Sequence, residues 1–241
     1  MITIEHLTKF IGIQKDPILH DVNFQFHKGE MIAIVGSSGS GKSTLLQCLS
    51  LNQKWDQGSF NVDGVDVLKL GFMGKQKIKK EWAYLEQSPE FNPKRTALKN
   101  VIIGQRGQTP WWRRLSGTVR SDDYMGAMDV IESLGLLEKA HFKMGQLSGG
   151  ERQRIAISRA LVHGAKVILA DEPVVGLDPK SAESVLEQLR TLCKEERVTV
   201  LTVIPLDLAE RYGSRIIGLS KGEIVFDVKG RRLTQREKSL I

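Results

Sequence analysis

The chain has 241 residues, 41% hydrophobic and 26% charged, with a formal net charge of +7 and two cysteines. That length suits one large α/β domain or two small lobes sharing a core. No stretch approaches the ~20 apolar residues of a membrane-spanning helix, and Cys48 and Cys193 have neither metal nor disulfide spacing, so a membrane span and a disulfide scaffold are both excluded. The N-terminal MITIEHLTKF lacks the layout of a secretory signal, which gives the expectation of a cytosolic protein with reduced, packed thiols. The positive charge favours an acidic partner such as a nucleotide, anionic lipid or nucleic acid. Its carriers are scattered over Lys75 to Lys80, Arg113-Arg114 and the tail from Lys229 to Lys238, and such runs read as solvated faces.

In chain order, Ile2, Ile4 and Leu7, then Ile18 to Phe26, then Phe60 to Val65 alternate in a β manner, with Lys-Gly and Asp-Gly turns between antiparallel strands. Met31 to Val35 is an apolar run that enters GSSGSGKST at residues 36–44, after which Thr44 to Leu49 continues as a helix. Trp82 to Leu85 is a short strand ending at Glu86-Gln87. Residues 92–163 carry no strong strand and predict helices over Asp123 to Leu134 and Glu151 to His163. Val167 to Ala170 and Val198 to Ile204 are nearly all apolar, as expected of parallel strands covered on both faces. Between them, Ser181 to Lys194 places Val185, Leu189 and Leu192 on one helical stripe. Ile216 to Leu219 and Glu223 to Phe226 flank a Ser-Lys-Gly turn and close the chain with a hairpin.

Gly36, Gly41, Lys42 and Ser43 satisfy G-x-x-x-x-G-K-[ST] without a mismatch. Glycine lets successive N–H groups turn inward at a helix N-terminus, forming an anion nest. Gly36, Ser37, Ser38, Gly39, Ser40, Gly41, Lys42, Ser43 and Thr44 are therefore the candidate phosphate cradle. Lys42 supplies the mobile charge for the β- and γ-phosphates and Ser43 a hydroxyl for Mg²⁺. Asp171 and Glu172 end a buried strand, where ligands of open α/β sheets bind. An acid there can orient Mg²⁺ and its neighbour can position water, while Gln87 at another strand end can sense the same metal. Leu147-Ser-Gly-Gly-Glu151 is a second glycine-rich helix start, which makes Ser148, Gly149 and Gly150 a second candidate anion site.

Together these segments resemble the ATP-binding-cassette family along essentially the whole chain. GSSGSGKST is similar to its Walker A, Gln87 to its Q-loop glutamine, LSGGE to its signature, VILADEP to its Walker B and Gly176-Leu-Asp178 to its D-loop. The resemblance implies the P-loop ABC-ATPase fold, a RecA-like core with an N-terminal antiparallel β-subdomain and an inserted helical subdomain. It divides a single domain of residues 1–241 into a core (1–91 and 164–241) and a helical subdomain (92–163). It also implies ATP and Mg²⁺ as cofactors and a head-to-tail pair in which one chain's signature caps ATP on the other's Walker A. Asp171 then orients the metal, with Ser43 and Gln87 as further metal-side residues, and Glu172 is the catalytic base acting with Lys42 and Gln87. Any side chain at Gly149 would intrude where backbone approaches the partner's phosphate.

Thr109-Pro-Trp-Trp-Arg113 and Leu208 to Tyr212 leading to Leu219 resemble, more narrowly, the ATPase subunits of phosphonate importers. The partners implied are integral-membrane permease subunits, a second cassette subunit and a substrate-binding protein, at the cytoplasmic face of the membrane. Nucleic acid is not expected, because the long coiled coils and tandem cassettes of the nucleic-acid-linked members are absent from the sequence. The chain departs from the family pattern where a switch histidine should touch the γ-phosphate: that position falls at Ile204 or Pro205. Val175-Gly176 replaces the usual Ser-Ala of the D-loop, and the stacking aromatic for the base falls at Ile11, leaving the adjacent Phe10 as the candidate. The missing histidine leads to the expectation of slow turnover at this chain's own site, or of pairing with a different cassette. The alternatives are a non-transport accessory ATPase and a regulatory subunit.

Overall fold

The computed structural model describes residues 1–12, 16–103 and 121–241. Two sheets organise these residues. Strands β1 (Ile2–Ile11), β2 (Asp16–Phe26), β4 (Gln57–Val62) and β5 (Val65–Asp66) form an antiparallel sheet in the order β2-β1-β4-β5. Strands β3 (Met31–Val35), β6 (Trp82–Leu85), β7 (Val167–Asp171), β8 (Thr199–Val203), β9 (Arg215–Ser220) and β10 (Glu223–Lys229) form a second sheet, ordered β10-β9-β3-β8-β7-β6. It is parallel except for the β9–β10 hairpin. This is the ABC-ATPase cassette fold expected from the sequence.

Period-two geometry explains why the central strands are apolar throughout. Successive side chains point to opposite faces. On β3, Met31, Ala33 and Val35 enter one core cluster while Ile32 and Ile34 enter another. On β7, Ile168 and Ala170 join the first cluster and Val167 and Leu169 the second. The first cluster lies under α6 (Pro179–Glu195), whose Val185, Leu186 and Leu189 are fully buried. The second is shared by α1 (Lys42–Leu49) and the antiparallel sheet, with Phe60 edge-on to Trp82 at 5.2 Å. A third cluster joins α3 (Ala97–Ile103), α4 (Ser121–Ser133) and α5 (Gly149–Val162) through Val101, Ala127, Ile131 and Ile155.

Several elements depart from the sequence reading in instructive ways. The Asp63-Gly64 turn does join antiparallel neighbours, β4 and β5. Lys28-Gly29, expected to do the same, instead carries the chain from the antiparallel sheet to β3 of the other sheet. The basic run from Lys75 lies on a helix, α2 (Phe72–Glu81), which buries no residue and therefore has no apolar stripe to betray it. Short helices α3 and α7 (Leu206–Tyr212), at seven residues each, fall below the length at which periodicity is readable. Both cysteines are buried and free, and burial pushes their thiols up to about 12. A final one-turn helix, α8 (Gln235–Lys238), is capped by Thr234. No helix of the described residues is long and apolar enough to cross a membrane.

Candidate functional site

Four of the candidate segments converge because they leave the same edge of one sheet. The glycine-rich loop follows β3, Asp171 ends β7, Gln87 lies two residues past β6, and Ile204 immediately follows β8. In the strand order, β8 lies between β3 and β7, so Ile204 and Pro205 stand between the phosphate loop and the acidic pair. The carboxyl edge of such a sheet is where ligands bind. A cleft of about 700 Å³ opens there, lined among others by Gly41, Lys42, Ser43, Glu172, Ile204 and Lys221.

The loop owes its shape to glycine at a point of close approach. Gly36 has φ 155, and a Cβ there would lie 2.1 Å from the Leu219 carbonyl oxygen and 2.8 Å from Ser40 Oγ. No side chain fits without moving backbone, so the loop is pressed flat against β9. Lys42 Nζ donates to the carbonyls of Gly36 (2.9 Å) and Ser37 (2.7 Å), folding the cation back over the nest that a phosphate would fill. Burial holds the Lys42 ammonium below the usual lysine value, with Glu172 and Asp171 opposing that shift.

Asp171 uses both oxygens. Oδ1 accepts from Ser43 Oγ at 3.0 Å and Oδ2 accepts from Tyr84 Oη at 2.8 Å. Glu172 is half-buried in the left-handed region, φ 50, a conformation that costs a non-glycine residue about 1–3 kcal/mol and that clusters at functional sites. Gln87 is exposed and engages neighbours through its carbonyl, which accepts from Gln153 Nε2 at 2.9 Å. It does not line the cleft. Phe10 is half-buried on β1, its N–H donating to Asp56 at 2.9 Å. The cleft is bordered on that side by Pro17 and Ile18 and not by Phe10.

Ser148 caps α5 through a reciprocal box: its hydroxyl accepts from Glu151 N–H (3.2 Å) and Glu151 accepts from Ser148 N–H (2.8 Å). Ser148, Gly149 and Gly150 do not line the phosphate cleft of their own chain. A Cβ at Gly149 would sit 2.7 Å from Leu177 Cδ2, so the glycine also serves packing within the chain. A substitution at Gly149 would therefore also press on the end of the Leu177 side chain.

Three residues were missed by sequence reasoning. Tyr84 sits on a strand that reads as simple core, and its hydroxyl could be tied to Asp171 only once β6 was known to neighbour β7. Gln153 and Arg159 lie on α5 and reach across to the loop after β6: Gln153 to the Gln87 carbonyl, and Arg159 Nη1 to the Glu90 carbonyl at 3.0 Å. Arg159 also lies over the Phe91 ring at 4.6 Å, and burial pulls it down to about 10. Arg159 lines a second groove of about 890 Å³, together with Tyr84, Glu86 and Asn100. That groove is larger than the cleft at the glycine-rich loop but lacks the glycine nest. The Trp111-Trp112 motif lies outside the described residues.

Comparison with known proteins agrees with this geometry. The profile of the ABC transporter family matches residues 19–175. The phosphonates import ATP-binding protein PhnC 1 of Trichodesmium erythraeum is 40% identical over 210 residues, covering 87% of this chain and 82% of its own. The corresponding PhnC protein of Lactococcus lactis subsp. cremoris is 36% identical over 218 residues, covering 90% and 89%. Among solved structures, the ATP-binding cassette MJ0796, a dimer in a post-hydrolysis state bound to ADP and Pi, is 31% identical with a TM-score of 0.79, covering 97% of this chain and 100% of that one. A nucleotide-free ATP-binding cassette from an ABC transporter is 25% identical with a TM-score of 0.84, covering 100% and 94%.

Proposed function

The chain belongs to the ABC transporter family, as an ATP-binding subunit that couples ATP hydrolysis to transport, and from that premise we propose that it energises import of phosphonate-like anions. The observation that carries the ATPase half is the meeting of Lys42, Ser43, Asp171 and Glu172 at one sheet edge. In this reading the glycine nest and Lys42 hold the β- and γ-phosphates, and Glu172 accepts a proton from the attacking water. Ser43 and Asp171 offer two hard oxygens 3.0 Å apart, which suits Mg²⁺, an ion usually held by one or two carboxylates plus substrate phosphates. When bound, the ion neutralises charge on those phosphates. The importer and phosphonate parts rest on the relatives at 36–40% identity.

The signature helix start does not line the cleft of its own chain, which supports capping of ATP across a pair of chains, as in the dimeric cassette MJ0796. The groove beside Arg159 and Tyr84 is the proposed seat of a permease subunit. Membrane attachment then comes through that subunit, at the cytoplasmic face. We assign residues 92–163 to a helical subdomain around the third core cluster, and Phe10 to the base side of the cleft. A second reading is favoured by one observation. Ile204, 4% exposed and packed in the first core cluster, stands where a donor to the γ-phosphate is expected. It makes this chain a slow half of a mixed pair, binding ATP and lending its signature to a more active partner.

The test is reconstitution with its permease and binding protein in liposomes. An alkylphosphonate-loaded binding protein should stimulate ATP hydrolysis, and inorganic phosphate should not. Equal stimulation by both, or none by either, removes the substrate assignment. Hydrolysis that appears only when a second, different cassette subunit is added selects the mixed pair.

A further inference from the structure

The side chain that fixes Asp171 is not part of any of the motifs above. Asp171 takes the Ser43 hydroxyl on Oδ1 and the Tyr84 hydroxyl on Oδ2. Ser43 sits in the phosphate loop's helix and must adjust when nucleotide and cation arrive. Tyr84 sits on β6, paired in register with β7 (Tyr84 with Leu169, Leu85 with Ala170), and has no such obligation.

Behind Tyr84 runs a directed chain of donors. Gln47 lies one turn after Ser43 on α1, so both side chains leave the same helix face. The Gln47 side chain is a hydrogen-bond partner of the Tyr84 hydroxyl. Its carbonyl oxygen is already taken by Gln53 Nε2 at 2.6 Å, so the amide is held with its NH₂ toward Tyr84. The sequence of donations is Gln53 to Gln47, Gln47 to Tyr84, Tyr84 to Asp171. With its acceptor role engaged by Gln47, the tyrosine's single proton is directed at the aspartate.

We propose that Tyr84 is a positioning residue for the metal side of the nucleotide site: its hydroxyl, oriented by Gln47, locks the Asp171 carboxylate in the rotamer that faces Ser43. The inference rests on the nucleotide reading above. Partners that orient a metal-site carboxylate typically matter by about 10–100-fold in metal affinity. A purely architectural tyrosine would instead affect stability alone, because phenylalanine keeps the ring and its packing.

The full chain is titrated with Mn²⁺ at saturating ADP and followed by electron paramagnetic resonance, with nucleotide affinity measured separately in a chelator. Tyr84→Phe should weaken Mn²⁺ about 10-fold or more while metal-free ADP affinity stays within about twofold. Gln47→Leu leaves the tyrosine hydroxyl but frees its orientation, and should give a smaller loss in the same direction. It carries the test if the Tyr84→Phe protein does not fold. Unchanged Mn²⁺ affinity in the folded variants overturns the proposal, as does a parallel fall in Mn²⁺ and metal-free ADP affinity. If the unaltered protein binds no Mn²⁺ with ADP, the nucleotide reading itself falls, and this inference with it.

Discussion

On one side of the phosphate cleft, Lys42, Ser43, Asp171 and Tyr84 are joined by hydrogen bonds of 2.7–3.0 Å to one another or to the loop backbone. On the other side, between β3 and β7 in the sheet, the chain leaves β8 through Ile204 and Pro205, which offer no side-chain donor. The first wall is the one that holds phosphate in the proposed reading. The second is an extension of the apolar core to the edge of the cleft. Holding a triphosphate and stabilising charge as it moves during transfer are different tasks, and in the proposed reading the side-chain donors described here serve the first.

The largest effect should come from the water-positioning group. Glu172→Gln is expected to lower hydrolysis about 10²–10⁴-fold, the usual worth of a general base, with ATP affinity retained. A single-turnover assay checks it, and an unchanged rate would move the base elsewhere. Next is the holding wall. Lys42→Ala should weaken ATP about 10–100-fold, the scale of a lost charge-assisted bond, with the melting temperature little changed. A titration showing equal affinity would break the contrast between the walls.

The apolar wall is probed by adding what it lacks. Ile204→His or Pro205→His should raise the rate about tenfold or more, given what single donors to a developing oxyanion contribute. Pro205 is exposed at the start of α7, whereas Ile204 is buried, so the proline variant tests the chemistry with less cost to packing. If the unaltered chain already hydrolyses ATP at the ~1–100 s⁻¹ of typical kinases, another group supplies the donor and the contrast has no kinetic meaning.

The smallest effect is a pH slope. Lys42 is held below its ordinary 10.5, chiefly by burial, while bound phosphates favour the ammonium. ATP binding therefore takes up a proton in the window from the depressed value to 10.5, and affinity should fall as pH rises through it. For the nucleotide-free chain the sign reverses. The unfolded lysine binds its proton more tightly there, so this group's contribution to stability grows with pH over the same window. Lys42→Arg should flatten the affinity profile, because guanidinium does not titrate there.

Much of the holding wall was readable from residues 36–44 and 171–172, because a glycine nest and a strand-end acid are fixed by local backbone geometry. The second glycine-rich segment was also readable as a helix start, Ser148 and Glu151 forming the cap its pattern announces. What remained hidden depends on lateral neighbours. Tyr84 meets Asp171 only because β6 pairs with β7, and Gln153 meets Gln87 only because α5 lies across the loop after β6. Local spacing carries no record of such pairings. Helix α2 escaped for a different reason: with no buried residue, it has no periodicity to read.

The alternation of β3, β7 and β8 between two core clusters has a consequence for how the molecule breathes. Exposing an amide of β3 to solvent requires loosening both clusters at once, whereas the antiparallel strands β1 and β2 contribute apolar side chains only to the second. Local opening is cheapest where the fewest buried contacts must be given up. Amide hydrogens of Ile32 to Ile34 and Ile168 to Ala170 should thus exchange with deuterium at rates governed by global unfolding. Those of β1 and β2 should exchange sooner, through partial openings. The two strands that carry the phosphate loop and Asp171 would then be the last to let deuterium in.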